Sequence, residues 1–166
     1  MFVTFSSRPT SDLTLQFDLI EGQEPVYVQE HKEMPADNAD GDQTFQVIDH
    51  TGDFPAASAF AVINNIPVTP EGREAFEERF LNRARMIEEE PGFRAIRVLR
   101  PLQGDTYRIL TFWETEADFA NWQQSKAYEK AHQKRHTPQG MDQQKPSIFA
   151  GASFVTKYHV QQSEEV

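Results

Sequence analysis

Hydrophobic and polar positions alternate along much of the first fifty residues, which is the period of a strand buried on one face. Four segments carry this pattern or are rich in β-branched and aromatic residues: Phe2–Ser6, Leu13–Ile20, Val26–Gln29 and Thr44–Ile48. The turn-rich stretch PADNADGD, at residues 35–42, separates the last two. No helical period stands out before residue 69. We therefore predict a β-rich N-terminal part over residues 1–58.

The pattern changes in the following segment. Phe60–Val68 predicts a strand, and Thr69 followed by Pro70 is typical of an N-cap and a first helical residue. Apolar side chains then recur at helical spacing, and Pro91-Gly92 is expected to end that helix. The members of the apolar face are Phe76, Phe80, Ala84 and Ile87.

The rest of the chain predicts three more strands and two short helices. The strands are Phe93–Leu99, Thr106–Trp113 and Ile148–Tyr158. Thr115 is expected to cap one short helix, and Ser125 a second helix that reaches about Arg135. The resulting order, β-α-β-β-α-β, predicts a ferredoxin-like α+β domain over residues 59–160, followed by a tail over residues 161–166.

Charge divides the chain at a similar place. The 166 residues include 26 acidic and 16 basic side chains, a net charge of −10. Residues 1–58 hold eleven acidic and two basic side chains, a net of −9, which argues against a nucleic-acid partner. The chain has no cysteine, no apolar run of membrane-spanning length and no signal-peptide pattern. We expect a cytoplasmic protein with no membrane partner.

Three side chains are candidates for chemistry. Alternation puts Asn64 in the larger apolar row of its strand, where a buried amide must find partners. His132 lies one turn before His136 on the last predicted helix, and Trp122 lies ten positions before His132. A helix break at Ser125 would let Trp122 and His132 face one cavity. Each also has an ordinary alternative: an amide satisfied by backbone, a surface histidine and a core aromatic.

Four basic residues surround the last predicted helix in an otherwise acidic chain. They are Lys126, Lys130, Lys134 and Arg135, and only Glu129 opposes them. This local positive charge could meet carboxylates of a ligand, or it could be a solvated helix face. No phosphate-binding glycine loop, nucleophile elbow or zinc ligand set accompanies it. The residues alone therefore leave the type of chemistry open.

Residues 60–158 resemble the antibiotic biosynthesis monooxygenase domain, and within it the haem-degrading IsdG-type branch. The resemblance runs through NNIPVTPEGREAFEERF, EPGFRAIRVLRP and ILTFWETEADFANWQQSKAYEKAHQKR. The chain with its N-terminal extension is similar to the HmoB type of this branch. A related group named TRAP is a proposed signalling protein that lacks parts of the Asn-Trp-His set, and this chain keeps all three.

The resemblance implies a haem-degrading monooxygenase, in which haem is both cofactor and substrate. Family members place an Asn, a Trp and a His around the haem, and these fall on Asn64, Trp122 and His132. His132 is implied as the axial iron ligand, Asn64 as a hydrogen-bond donor on the opposite side, and Trp122 as a contact of the porphyrin face. An external electron donor is also implied, because nothing in this chain resembles a flavin or NAD site.

Family domains usually dimerise and close two sheets into a barrel. We expect the strands of residues 1–50 to supply the missing half within the same chain, so that the protein is a monomer with an internal pseudo-dimer; a homodimer is the alternative. Two other functions remain as rivals: a haem-binding or stress-signalling protein without turnover, and a cofactor-free oxygenase of a small quinone or polyketide.

Overall fold

A computed structural model describes residues 1–7, 15–19, 24–35, 42–55, 59–82, 86–125 and 148–162. Within these ranges, eight strands and two α-helices are formed. The strands are β1 (Phe2–Ser6), β2 (Leu15–Leu19), β3 (Val26–His31), β4 (Gln43–Thr51), β5 (Ala59–Pro67), β6 (Phe93–Pro101), β7 (Thr106–Trp113) and β8 (Phe154–Gln162). The helices are α1 (Arg73–Leu81) and α2 (Glu116–Gln123).

The C-terminal half, β5–β8, forms an antiparallel sheet in the order β8-β5-β7-β6. Both predicted caps are formed, the first on a 3-10 turn before α1 and the second at the start of α2. Thr69 accepts a hydrogen bond from the Gly72 N–H at 3.1 Å, which starts a 3-10 turn leading into α1. Thr115 accepts from the Asp118 N–H at 3.2 Å and starts α2. Satisfying these free N–H groups stabilises each helix start.

The N-terminal half, β1–β4, repeats the same strand order, because β4-β1-β3-β2 corresponds strand for strand to β8-β5-β7-β6. The two sheets join where β2 pairs with β8 and where β4 pairs with β6. Each junction therefore pairs the second strand of one half with the fourth strand of the other, and the eight strands close into a barrel. This confirms the predicted ferredoxin-like fold and its closure by the N-terminal strands of the same chain.

The apolar side chains form one cluster inside the barrel and two outside it. The interior cluster comes from all eight strands or their edges and includes Val3, Phe5, Phe17, Val28, Phe45, Ala61, Ile63, Leu99, Leu110, Phe112 and Val160. The α1 cluster lies under the first helix and includes Ile66, Val68, Phe76, Ile96, Val98, Tyr107, Ile109 and Ile148. The α2 cluster consists of Phe60, Val62, Trp113 and Phe119, with Ile87, Phe93 and Trp122 partly buried against it. The helices thus cover the outer face of the C-terminal half.

A buried arginine ties the two halves together inside the barrel. Arg97 on β6 is only 2% exposed, and its Nε donates to Glu30 on β3 at 2.6 Å. Its Nη1 donates to the backbone oxygens of Thr51 and Ile96, and the guanidinium lies 5.2 Å from the Phe54 ring centre. A charge this deep is stable only with such partners, so Arg97 links the halves at a fixed register.

A second arginine contacts the N-terminal half through aromatic rings. The guanidinium of Arg108 on β7 lies 4.5 Å from the centre of the Phe5 ring and 4.9 Å from that of Phe45. Its Nη2 donates to Gln43 at 2.9 Å, while its Nε is buried without a partner. Burial lowers the pKa of Arg108 because it disfavours the charged form.

The predicted bounds of the first helix and of the last strand were wrong. The first helix ends at Leu81, and a separate 3-10 turn, Met86–Glu89, precedes Pro91. The last strand begins at Phe154 and not at Ile148, because the segment around Phe149 pairs with Val68 as an isolated bridge. The same strand continues to Gln162, two residues into the predicted tail, since Gln161 and Gln162 pair with β2.

The described ranges contain two short α-helices and two 3-10 turns. None of the helices there is long and apolar enough to cross a bilayer. A cytoplasmic location stays a prediction.

Candidate functional site

The outer face of β5 passes between the two helix-covered clusters. Val62 belongs to the α2 cluster and Ile66 to the α1 cluster, and both point away from the barrel interior. Asn64 lies between them in the alternation, so its side chain is on this same outer face, as predicted. The amide therefore sits at the boundary between the two clusters.

The amide of Asn64 is not satisfied by the surrounding protein. The side chain is half-buried, and its Oδ1 is buried without a hydrogen-bond partner. Its cross-strand neighbours are Ile109 on β7 and Val155 on β8, whose side chains offer no polar atom. An unpaired buried polar atom costs about 1–3 kcal/mol. Rotating the amide by half a turn exchanges the carbonyl for the NH2 group, so this side chain can accept or donate.

The adjacent Asn65 has the opposite environment. It is 4% exposed, and its Nδ2 lies 3.3–3.4 Å from three acceptors: the backbone oxygens of Ile63 and Phe154 and the hydroxyl of Thr156. These bonds connect β5 to β8, and they use the donors of the amide. Of the two asparagines, Asn64 is the one whose polar atom remains available to a ligand.

Trp122 lies on the last turn of α2 and is half-buried over aromatic side chains. Its ring centre is 5.7 Å from that of Trp113 and 5.8 Å from that of Phe119. Trp113 is fully buried, and its Nε1 donates to Thr111 at 3.0 Å, which fixes the ring beneath Trp122. The α2 cluster also contains Val62, so Trp122 and Asn64 lie in the same layer between sheet and helices.

The helix that carries Trp122 ends where the sequence predicts a break. α2 ends at Gln123, and the hydroxyl of Ser125 donates to the Trp122 carbonyl at 2.6 Å. His132 and the basic residues Lys126, Lys130, Lys134 and Arg135 lie outside the described residues. The predicted second helix, Ser125–Arg135, lies outside them as well, apart from Ser125 itself. The structure thus brings two of the three predicted site residues, Asn64 and Trp122, into one layer.

Strand β8 contributes residues to this layer that the sequence reasoning missed. Val155, beside Asn64, is 49% exposed, which leaves an apolar surface open next to the unsatisfied amide. Lys157 pairs with Val62 across the sheet, and its Nζ lies 5.5 Å from the centre of the Phe119 ring. The available signal was the alternation of Val155, Lys157 and His159 along the strand, which the sequence analysis did not use.

A charged network lies beside the site, under α1. Glu77 accepts from Arg100, whose Nε is 2.9 Å away, and from the buried hydroxyl of Tyr107. The arginine lowers the pKa of Glu77, and burial together with the Glu77 carboxylate raises that of Tyr107. Arg100 also donates to Gln46 of β4 at 3.0 Å. Because every group in this network has a partner, we assign it to holding α1 on the sheet.

Side chains that can bind metals, such as His31, His50 and His159, occur in the described ranges. No three His, Cys, Asp or Glu side chains are grouped there to hold a metal ion. A shallow depression of about 400 Å³ runs along α1, lined by Ala75, Glu78, Arg79 and Asn82.

The strand order, the closed barrel and the two helices on one half define a ferredoxin-like α+β barrel. Residues 59–134 match the family model for antibiotic biosynthesis monooxygenase, which begins at the first residue of β5. The chain is 33% identical over 91 residues to the heme-degrading monooxygenase of Halalkalibacterium halodurans, covering 53% of this chain and 78% of that protein. The chain belongs to the antibiotic biosynthesis monooxygenase family.

Two further comparisons concern the length of the sequence match and the fold. The chain is 38% identical over 61 residues to the mycobilin-producing heme oxygenase of Mycobacterium tuberculosis, and that match spans 36% of this chain and 58% of the relative. A solved structure described as a major regulator of staphylococcal pathogenesis superposes with a TM-score of 0.73. It is 19% identical and covers 95% of this chain and 98% of its own, which shows a common fold over nearly the whole length.

Proposed function

We propose that this protein is a haem-degrading monooxygenase. Haem is its substrate: the porphyrin is opened with O2 and electrons from an external donor, and iron is released. The observation that carries the proposal is the buried Oδ1 of Asn64, unsatisfied by the protein and located in the same layer as the half-buried Trp122. Two relatives of this family, described above, are named as haem-degrading enzymes.

The residues of this layer suit a flat, largely apolar substrate with a reactive centre. Ile109 and Val155 flank Asn64 with hydrocarbon, and the Trp122 indole extends the apolar surface. A single polar group in such a surface orients a ligand. The amide lacks a hydrogen-bond partner in the protein, so a polar group of the ligand can form this bond only next to the amide. This supports Asn64 as the group that binds on the side of the haem facing the sheet.

His132 is the proposed axial ligand on the other side. Its neutral imidazole would bind through one nitrogen, so binding should weaken in acid as the ring is protonated. Trp122 would contact the porphyrin face and restrict how the ring lies. The end of α2 at Gln123 supports this arrangement, because a straight helix would turn His132 away from Trp122.

The two halves would then have different tasks. Residues 59–160 would provide the three site residues, and residues 1–58 would complete the barrel in place of a second subunit. We therefore propose one haem per chain and a monomeric protein. The proposed chemistry is redox chemistry of the bound iron porphyrin, and the chain's residues hold and orient it.

Haemin titration of the purified protein tests binding. We expect a shifted Soret band that saturates near one haemin per chain in wild type and in the His136→Ala variant. His136 is a matched control because it lies one helical turn from His132 in the sequence. In His132→Ala the shifted band should be lost. A normal band in His132→Ala would contradict the assigned ligand, and no binding in wild type would contradict the function.

Ascorbate added to the haemin complex in air tests turnover. Wild type should lose its Soret band and release iron that a ferrous chelator detects. Asn64→Ala should still bind haemin but degrade it more slowly. We expect the rate of Soret decay to fall by about tenfold to a hundredfold if the amide acts on the reacting side. A stable band in wild type would favour the haem-binding or signalling rival, and absence of haemin binding would favour the quinone or polyketide oxygenase.

A further inference from the structure

We propose that Lys157 binds a carboxylate of the substrate and so sets which edge of the haem enters the site. This rests on the proposed function, since haem carries two propionate carboxylates on one edge. Lys157 lies on the outer face of β8, opposite Val62 of the α2 cluster. It is therefore in the layer that contains Asn64 and Trp122.

The position of the ammonium group is defined by aromatic contact. Its Nζ lies 5.5 Å from the centre of the Phe119 ring, within the range of a cation–π interaction. The Phe119 ring is in turn 5.8 Å from that of Trp122. A charge held at the edge of an aromatic surface fits a ligand that is flat and apolar over most of its area and anionic at one side.

The charge of Lys157 has no acidic partner among the described residues, although the chain carries ten more acidic than basic side chains. The described arginines Arg97 and Arg100, by contrast, each pair with a glutamate. Lys157 is also half-buried, so water only partly replaces a missing counter-ion. A carboxylate of the ligand would supply the partner that the protein does not.

Haemin and haemin dimethyl ester, in which both propionates are neutral, distinguish this role from simple packing. Each is titrated into wild type, Lys157→Gln and Lys32→Gln. Lys32 is a matched control, because it is an exposed lysine of the N-terminal half and its loss changes the net charge equally. We expect Lys157→Gln to raise the Kd for haemin about two- to fivefold, as for a partly exposed ion pair. The Kd for the ester should not change, and Lys32→Gln should leave both unchanged.

Two outcomes would overturn the proposal while leaving the proposed function intact. One is equal weakening of haemin and ester by Lys157→Gln, which would assign Lys157 to packing. The other is an unchanged Kd for haemin. Lys157→Arg, which keeps the charge, should retain the wild-type preference for haemin over ester, and thermal unfolding of each variant checks the fold. If wild type binds neither ligand, both proposals fail together.

Discussion

The two halves of the barrel have the same strand order but differ in what lies on their outer faces. In the C-terminal half, 25 residues (68–92) connect the first two strands and 40 (114–153) connect the last two. In the N-terminal half, the same connections contain 8 residues (7–14) and 11 residues (32–42). The sheet has thus been kept in both halves, while the long connections that provide helices and site residues belong to only one.

Two cross-strand pairs show the difference at the level of side chains. Asn64 and Val155 face each other on the first and fourth strands of the C-terminal half. In the N-terminal half, Thr4 and Thr44 also face each other on the first and fourth strands, and their hydroxyls are 3.2 Å apart and hydrogen-bonded. The threonine pair is satisfied internally, whereas the asparagine is not. The free Oδ1 of Asn64 therefore supports its assignment to the candidate site, whereas the hydrogen bond between the threonines is structural.

Removing the N-terminal half should have the largest effect. A chain lacking residues 1–51 leaves β6 and β8 without their partners β4 and β2. Open edges recruit further strands, and these two edges match each other because each junction pairs a second strand with a fourth. We expect a dimer or larger assembly in gel filtration with light scattering. A stable monomer with native circular dichroism would show that the N-terminal half is dispensable.

Removing the ion pair between the halves should come next. Glu30→Gln takes away the carboxylate that Arg97 contacts and leaves an uncompensated buried charge. Since Glu30 itself is 22% exposed, we expect a loss of about 2–4 kcal/mol in the free energy of unfolding, measured with urea. The exposed Glu33 provides the control, because Glu33→Gln should cost less than about 0.5 kcal/mol.

Substitutions at Thr4 and at Asn64 should change the free energy of unfolding in opposite directions. Asn64→Leu removes an unsatisfied amide and should raise the free energy of unfolding by about 1 kcal/mol, while haem turnover falls. Thr4→Val removes the hydrogen bond between the Thr4 and Thr44 hydroxyls and should lower the free energy of unfolding by about 1 kcal/mol, with turnover unchanged. Urea denaturation and ascorbate-driven turnover of both variants measure this. Destabilisation by Asn64→Leu would mean that the protein already uses the amide.

The smallest expected effect is on the stability of the protein in acid, and it comes from Glu77 in the charged network under α1. The Arg100 guanidinium holds the pKa of Glu77 below its ordinary value of 4.5. A carboxyl with a lowered folded-state pKa stabilises the protein above 4.5, and this contribution disappears as the pH falls through the folded-state value. Glu77→Gln should therefore lower stability at pH 7 by about 0.5–1 kcal/mol and flatten the decline below pH 4.5. A parallel decline in both proteins would contradict the assigned role of Glu77.

The order of elements and the face of Asn64 could be predicted because both follow from local periods. The capping roles of Thr69 and Thr115 could also be predicted, since each cap is formed by residues close together in the sequence. The helix end could not be placed from spacing alone. Phe76 and Phe80 pack in the α1 cluster, but Ile87 packs in the α2 cluster. The residues predicted to form one apolar helix face therefore contact two different clusters.

The bounds of β8 show a second limit of local reasoning. Gln161 and Gln162 carry no strand signal of their own, and they become strand only by pairing with β2, far away in the sequence. The predicted strand, Ile148–Tyr158, contained Lys157, but the neighbours of Lys157 follow from the pairing of β8 with β5, which the local pattern does not give. Asn64 and Trp122 lie on the same side of the sheet, and their roles, like that of His132, stay predictions.

The two junctions of the barrel also differ in what mutation can do to them. In a symmetric homodimer one gene encodes both junctions, so each substitution appears twice and must suit both copies. Here β2–β8 and β4–β6 are encoded separately: Phe17 faces Val160 at one, and Phe45 faces Pro101 at the other. Each junction can therefore evolve independently of the other. The half without the candidate site is free to diverge as long as it still closes the barrel.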